Sequence, residues 1–157
     1  MKAQQKRNET NTRASPGSDG QNSPANHAIY IRAFPTSDDC RRNATNMRLA
    51  TWNIGSLTGR SQELAETLHR RNINICCIQE LKWKGSKSRN IGYNYQLYYH
   101  GSSTKNGVGI VLDGNLKQRV IKVDRINDRI MCVKMALENQ PCFNIISAYA
   151  PQTGCRK

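Results

Sequence analysis

Residues 49–80 read Leu49-Ala-Thr-Trp-Asn53-Ile-Gly-Ser-Leu-Thr-Gly-Arg60-Ser-Gln-Glu-Leu-Ala-Glu-Thr-Leu-His-Arg70-Arg-Asn-Ile-Asn-Ile-Cys-Cys-Ile-Gln-Glu80. Met47 to Asn53 has the apolar character of a strand, and Ile54 to Gly59 is a loop with two glycines. In Ser61 to Arg71, Leu64, Ala65 and Leu68 form one apolar stripe. Glu63 stands in the first turn and His69, Arg70 and Arg71 in the last, the charge order that suits a helix dipole. Ile73 to Gln79 is almost continuously apolar, as expected of a strand buried on both faces. Strand, helix and strand at this length make a βαβ unit, with parallel strands and a right-handed crossover. Asn53 and Glu80 then close the two strands at one edge of the sheet. Ligand sites in open α/β sheets lie beyond that edge.

Beyond this unit, Leu81 to Ile91 reads as a basic loop and the rest as a meander. Tyr95 to His100, Gly107 to Leu112, Val120 to Ile126, Arg129 to Leu137 and Cys142 to Ala148 are strand-like, with turn signals between them. The expected class is α/β, with a mixed sheet and one main helix. Residues 1–46, rich in Asn, Ser, Gln, Pro and charge, read as a disordered polar tail that cannot bury enough apolar area to offset its ordering entropy. The folded domain is expected over 47–157.

Lys and Arg number 24 against 11 acids in 157 residues, a net charge of +13. Such an excess favours a polyanionic partner, such as nucleic acid or an acidic membrane surface, with nucleic acid (DNA as the partner expected here) ahead of a merely solvated surface. The six cysteines form no C-x-x-C pair and lie near no histidine pattern, which argues against a zinc site. Reduced thiols point to a nuclear or cytoplasmic compartment. No run approaches the roughly 20 apolar residues of a membrane span, so no membrane partner is expected.

Three strand ends carry groups suited to phosphate chemistry: Asn53, Glu80 and Tyr149. Glu80 follows six uncharged residues and is the best-placed acid to hold a hard cation such as Mg²⁺. The Asn53 amide both donates and accepts, and the Tyr149 hydroxyl can donate to a phosphate oxygen. Each has an ordinary reading beside the functional one: a turn Asn, a solvated acid, a packing aromatic. The stretch Lys82-Trp83-Lys84-Gly-Ser-Lys87-Ser-Arg89 interleaves cations with an aromatic, the composition of a nucleic-acid contact. Its ordinary reading is an exposed loop whose Trp83 packs sideways. The polar loop Gly101 to Asn106 offers hydroxyl and amide donors for phosphate. Gly107 and Gly109 flank Val108 and suggest close backbone approach.

Leu49-Ala-Thr-Trp-Asn53, Ile78-Gln-Glu80, Gly107-Val-Gly-Ile-Val111 and Ala148-Tyr-Ala-Pro151 together resemble the motifs of the endonuclease/exonuclease/phosphatase superfamily. The branch they are most similar to is the apurinic-endonuclease-like domain of LINE retrotransposons of the RTE/BovB type. The match runs from about Met47 to Gly154. The resemblance implies a four-layer α/β sandwich built from two halves and Mg²⁺-dependent cleavage of a phosphodiester by an activated water. It implies a metal-ligand role for Glu80, a supporting role for Asn53 and a phosphate contact for Tyr149. Arg129 fits the family's habit of an Arg before its strand, without a catalytic role.

The departure from that pattern is as informative as the match. The family's later Asp-x-Asn, Asp and Asp-His motifs have no counterpart: no Asp follows Asp128 and no His follows His100. The expectation is therefore the N-terminal half of a sandwich, a truncated Mg²⁺-dependent endonuclease domain inactive alone. The competing reading is a catalytically dead remnant that binds nucleic acid or protein, and a third is a phosphatase of small phosphoesters. A half-sandwich is expected to leave a sheet face open, with Phe143, Ile145, Ile73 and Ile75 forming a patch that a protein partner would cover.

Overall fold

The computed structural model describes residues 47–136 and 142–150. The expected tail, the turn at 137–141 and Pro151 lie outside the described residues. A strand β1 (Leu49–Asn53), a helix α1 (Ser61–Arg70) and a strand β2 (Ile75–Gln79) form the βαβ unit, and β1 pairs with β2 in parallel. The helix buries Leu64, Ala65 and Leu68, the stripe read from the sequence. Next come β3 (Gly85–Gly92), β4 (Tyr95–Gly101) and β5 (Val108–Leu112), which complete a mixed sheet of order β1-β2-β5-β4-β3. All pairings beyond β1–β2 in this sheet are antiparallel.

A second sheet is the antiparallel meander β6 (Val120–Asn127), β7 (Ile130–Met135) and β8 (Phe143–Ala148). The two sheets pack face to face. Ile75 of β2, with Val108, Ile110 and Leu112 of β5, meets Met131, Val133 and Met135 of β7 and Ile145 of β8 in one buried cluster. On the other face of the large sheet, α1 packs with Cys76, Ile78, Ile91, Tyr95, Leu97 and Tyr99 in a second cluster. The described residues thus make three layers, helix on sheet on sheet. Burial of each large side chain is worth about 1.5–3 kcal/mol. The β5 pattern, buried at all five residues, follows from its place under both layers.

Two expectations change. The basic stretch after Glu80 is mostly strand: Gly85–Gly92 pairs with β4 and turns back through Tyr93 and Asn94, whose φ values of 49° and 63° are those of a tight hairpin turn. All five residues from Ser86 to Asn90 are polar and exposed, so no alternation betrays the strand. The expected open apolar face is also absent where it was placed. Ile75 and Ile145 are buried and Phe143 packs against the inter-sheet cluster, because the meander folds back and covers that face itself, while Ile73 is buried on the other face among the residues that pack with α1. Among the described residues, the exposed large apolar side chains are Tyr93, Ile121, Ile126 and Ile146.

The hairpin is fastened at two points. Arg125 of β6 donates from Nε to the Tyr99 carbonyl at 3.2 Å and from Nη2 to the Lys87 carbonyl at 3.3 Å. At its mouth, Gly101 runs against the main chain of Trp83, where a Cβ would overlap the Trp83 carbonyl oxygen. Backbone cannot yield as a side-chain tip can. Gly101→Ala is therefore expected to cost about 1–3 kcal/mol by forced displacement. Urea unfolding of the variant against the parent measures it, and an unchanged midpoint would contradict this packing.

Candidate functional site

The parallel register sets Asn53 opposite Gln79, so β1 and β2 end together. Gln79 is buried and exchanges hydrogen bonds with Thr51: its Nε2 donates to Thr51 Oγ1 at 3.1 Å, and Thr51 Oγ1 donates to its Oε1 at 3.3 Å. Gln79 thus ties the two strands together, while Glu80 is the group presented at the edge.

Along β2, Cys76 and Ile78 face the helix, and strand alternation would send residue 80 the same way. The backbone instead turns left-handed at Glu80, with φ 56°, and again at Lys82, with φ 58°. Such a turn costs a non-glycine residue roughly 1–2 kcal/mol. It brings the carboxylate to groups on the side of the second sheet. Asn53 Nδ2 donates to Glu80 Oε1 at 2.7 Å, and the Tyr149 hydroxyl, just after β8, donates to the same oxygen at 2.9 Å. The Asn53 side chain is oriented by its Oδ1, which accepts from the Gly55 amide at 3.1 Å. Tyr149 is oriented by its backbone amide, which donates to the Arg129 carbonyl at 2.9 Å. Neither of the two side-chain bonds to Glu80 uses Oε2. The Asn53 hydrogen bond is the main force holding the Glu80 carboxyl below the usual carboxylate range. Partial burial opposes it, while Tyr149 and the Lys82 charge assist.

The structure therefore gathers Asn53, Glu80 and Tyr149, the three strand-end residues, around one carboxylate oxygen. Lys82 follows directly and adds its charge to this edge. Trp83 is half-buried, meets Tyr99 edge-on at 5.3 Å between ring centroids, and carries the Arg89 guanidinium 5.3 Å above its ring. Lys84 precedes β3, and Lys87 and Arg89 run along it. In the strand order, β3 lies three spacings from β2, about 14 Å at the usual inter-strand distance. Lys82, Lys84, Lys87 and Arg89 are all exposed.

A second polar group at this edge is not singled out by sequence. Asp128, in the turn between β6 and β7, accepts at Oδ2 from Ser102 Oγ at 3.1 Å and from Asn106 Nδ2 at 3.0 Å. The Asn106 bond, aided by Ser102 and Arg129, holds its carboxyl below the usual range against partial burial. The sequence marks Asn127-Asp128 only as a turn, the commonest use of such a pair. The one available signal was the nearby loop of hydroxyl and amide residues. Of the imidazoles among the described residues, His69 stacks on Tyr93 and His100 hydrogen-bonds Ser86. Among the described residues, no three His, Cys, Asp or Glu side chains converge as a metal-binding group. No helix among them is long and apolar enough to cross a membrane.

No family model matches the chain. In sequence it is similar to craniofacial development protein 2 of Bos taurus, 28% identical over 153 residues, which covers 94% of this chain and 25% of that protein. In structure it is similar to an AP endonuclease from Archaeoglobus fulgidus, with a TM-score of 0.51 and 23% identity over 68% of this chain and 42% of the other. It is also similar to the 3′ phosphatase NExo from Neisseria bound to a product DNA hairpin, with a TM-score of 0.50 and 23% identity over 66% of this chain and 41% of the other. The chain thus has the AP endonuclease/exonuclease/phosphatase fold over about two thirds of its length, as the motif order implies. It spans a quarter of the curated relative's length and about two fifths of either solved neighbour.

The hydrogen bonds at Glu80 make a prediction about charge. Asn53→Ala and Tyr149→Phe are each expected to raise the Glu80 pKa toward its ordinary value of about 4.3. Asn53→Ala should have the larger effect, because its bond is the leading cause of the depression. A depressed folded value means stability gained above the unfolded pKa and lost as pH falls through the folded one. The stability deficit of Asn53→Ala should therefore be greatest near neutral pH and shrink in acid below the folded value. Side-chain carboxyl NMR titration in metal-free buffer checks the shift, and urea unfolding across pH checks the trend. An unmoved carboxyl in both variants would contradict the site.

Proposed function

We propose that the described residues form the first part of a metal-dependent DNA phosphodiesterase site, of the retrotransposon endonuclease type. The observation that carries this reading is the convergence of Asn53 and Tyr149, from different sheets, on one oxygen of Glu80. Aligned donors that leave the second carboxylate oxygen out of their bonds suit a hard cation, which takes oxygen ligands from one or two carboxylates, with water and phosphate completing its shell. Glu80 would be the ligand for Mg²⁺, and the bound ion would neutralise and polarise the phosphate. With one carboxylate at the site, the ion would be weakly held. Tyr149 would reach the scissile phosphate, and Asn53 would hold Glu80 in place. The basic run Lys82, Trp83, Lys84, Lys87 and Arg89 would take up flanking backbone. Arg and Lys neutralise phosphates there, while Trp83 supports Arg89 from below.

Hydrolysis also needs a base to activate water, and one misplaced or missing catalytic group costs about 10²–10⁴ in rate. Among the described residues neither an imidazole nor a second carboxylate hydrogen-bonds with Glu80. On this reading the groups that complete such a site are not among the described residues, and the chain binds DNA without cutting it. That makes the chain acting alone a binding module. Its net charge of +13 favours the same outcome. A protein partner would sit on the outer face of the second sheet, where Ile126 and Ile146 are more than half exposed.

Plasmid nicking and abasic-duplex cleavage with Mg²⁺ test the reading, together with binding titrations across salt. We expect no cleavage above background and an affinity that falls steeply with salt. Lys87→Ala and Arg89→Ala should each flatten the log–log slope by about one unit if the residue meets a phosphate. Cleavage abolished by Glu80→Ala would show the chain to be a working nuclease. Salt-independent binding, or turnover of inositol phosphates, would overturn the DNA reading.

A further inference from the structure

The turn Glu80-Leu81-Lys82, left-handed at its first and third residues, lies beyond the end of β2. Its backbone amides find partners elsewhere. The Leu81 amide donates to the Gly107 carbonyl at 3.2 Å and the Lys82 amide to the Asn106 carbonyl at 2.9 Å. The Leu81 carbonyl accepts from the Leu57 amide at 3.0 Å. Two of these three tethers therefore run to residues 106 and 107. Those residues in turn are held by one residue of the β6–β7 turn. Asp128 accepts the Asn106 side chain at 3.0 Å and the Ser102 hydroxyl at 3.1 Å, and its backbone carbonyl accepts the Gly107 amide at 3.2 Å. The path from Asp128 to Glu80 is continuous and short.

We propose that Asp128 is a positioning residue for Glu80: it pins the 102–107 loop, and that loop holds the left-handed turn that presents the Glu80 carboxylate to Asn53 and Tyr149. Asp128 touches neither the carboxylate nor its two donors. It acts through Asn106 and Gly107. The next residue, Arg129, supplies the carbonyl that anchors the Tyr149 amide. The β6–β7 turn therefore fixes both the strand end that bears the acid and the tyrosine that donates to it. The charged groups beside the two acids are Lys82 at Glu80 and Arg129 at Asp128.

This inference rests on Glu80 being the working carboxylate. Its test needs neither DNA nor metal, so failure of the nuclease reading would leave the test intact. The readout is the NMR resonance of the Asn53 side-chain amide, which a short bond to a carboxylate displaces, together with hydrogen exchange at the Lys82 amide. In Asp128→Ala the Asn53 resonance should move toward the free-amide position. Exchange at Lys82 should accelerate at least tenfold while Ile78 and Ile110 stay protected. Asp128→Asn, which keeps an acceptor oxygen, should restore both. Val123→Ala, matched for thermal destabilisation, should change neither. If Asp128→Ala does not fold, the double variant Ser102→Ala/Asn106→Ala keeps the acid, removes its two donors and should reproduce the effect. An unmoved Asn53 resonance in whichever variant folds would overturn the proposal. An equal shift in Val123→Ala would overturn it too, by revealing general loosening.

Discussion

The layer of apolar side chains between the two sheets makes the site possible. Glu80 ends a strand of one sheet and Tyr149 follows a strand of the other, and a 2.9 Å bond between them requires the sheets to pack in one fixed relation. Ile75, Ile110, Val133 and Ile145 supply that relation without direction, since hydrophobic contact alone tolerates sliding. The direction comes from a polar stitch inside the layer. Ser147, fully buried two residues before Tyr149, donates its hydroxyl to the Ile78 carbonyl at 3.4 Å, two residues before Glu80. A buried hydroxyl left unpaired would cost about 1–3 kcal/mol, so slippage is penalised where the site must be in register.

Alternation along the strands explains why strain is needed at Glu80 and not at its partners. Phe143, Ile145, Ser147 and Tyr149 share one parity, and the first three meet the inter-sheet layer or lie buried facing it. Leu49 and Asn53 likewise share the parity that faces the second sheet. Tyr149 and Asn53 reach the site by regular geometry. Residue 80 has the wrong parity, because Cys76 and Ile78 belong to the helix side. A left-handed residue at the strand end corrects it, at a cost met by the tethers to residues 106 and 107. Strain at this edge is then the consequence of building one site from a βαβ unit and a meander.

What the sequence made legible follows the same division. The βαβ unit, its buried second strand and the helix stripe were readable because burial on known faces imposes a period. Asn53, Glu80 and Tyr149 were readable as strand-end polar groups, and the motif order supported them. The strand at Gly85–Gly92 was not, because an edge strand with polar groups on both faces has no period to read. The burial of Ile75 and Ile145 was not readable because strand content does not say which face a meander will cover, and Ile73 is instead buried on the helix side. Asp128 was hidden for a third reason. Asn and Asp in turns usually serve their own backbone, and only the folded chain brings this one across to Ser102 and Asn106.

Charge gives the site its remaining character. The chain carries 24 cationic side chains, and Lys82, Lys84 and Arg129 lie in or beside the segments that build this edge. A field of that sign draws phosphate toward a place whose acids are few and held ionised by hydrogen bonds. One carboxylate is a poor cage for a divalent cation by itself, and the same carboxylate repels phosphate when no cation is present. Both difficulties ease when cation and phosphate arrive together, since each supplies the charge the other lacks. On the proposed reading, whatever factor a phosphate added to cation affinity at Glu80 would return, by linkage, as the same factor in affinity for the phosphate. Under that proposal, a weak acid site in a basic surface would respond to the pair far more than to either ligand alone.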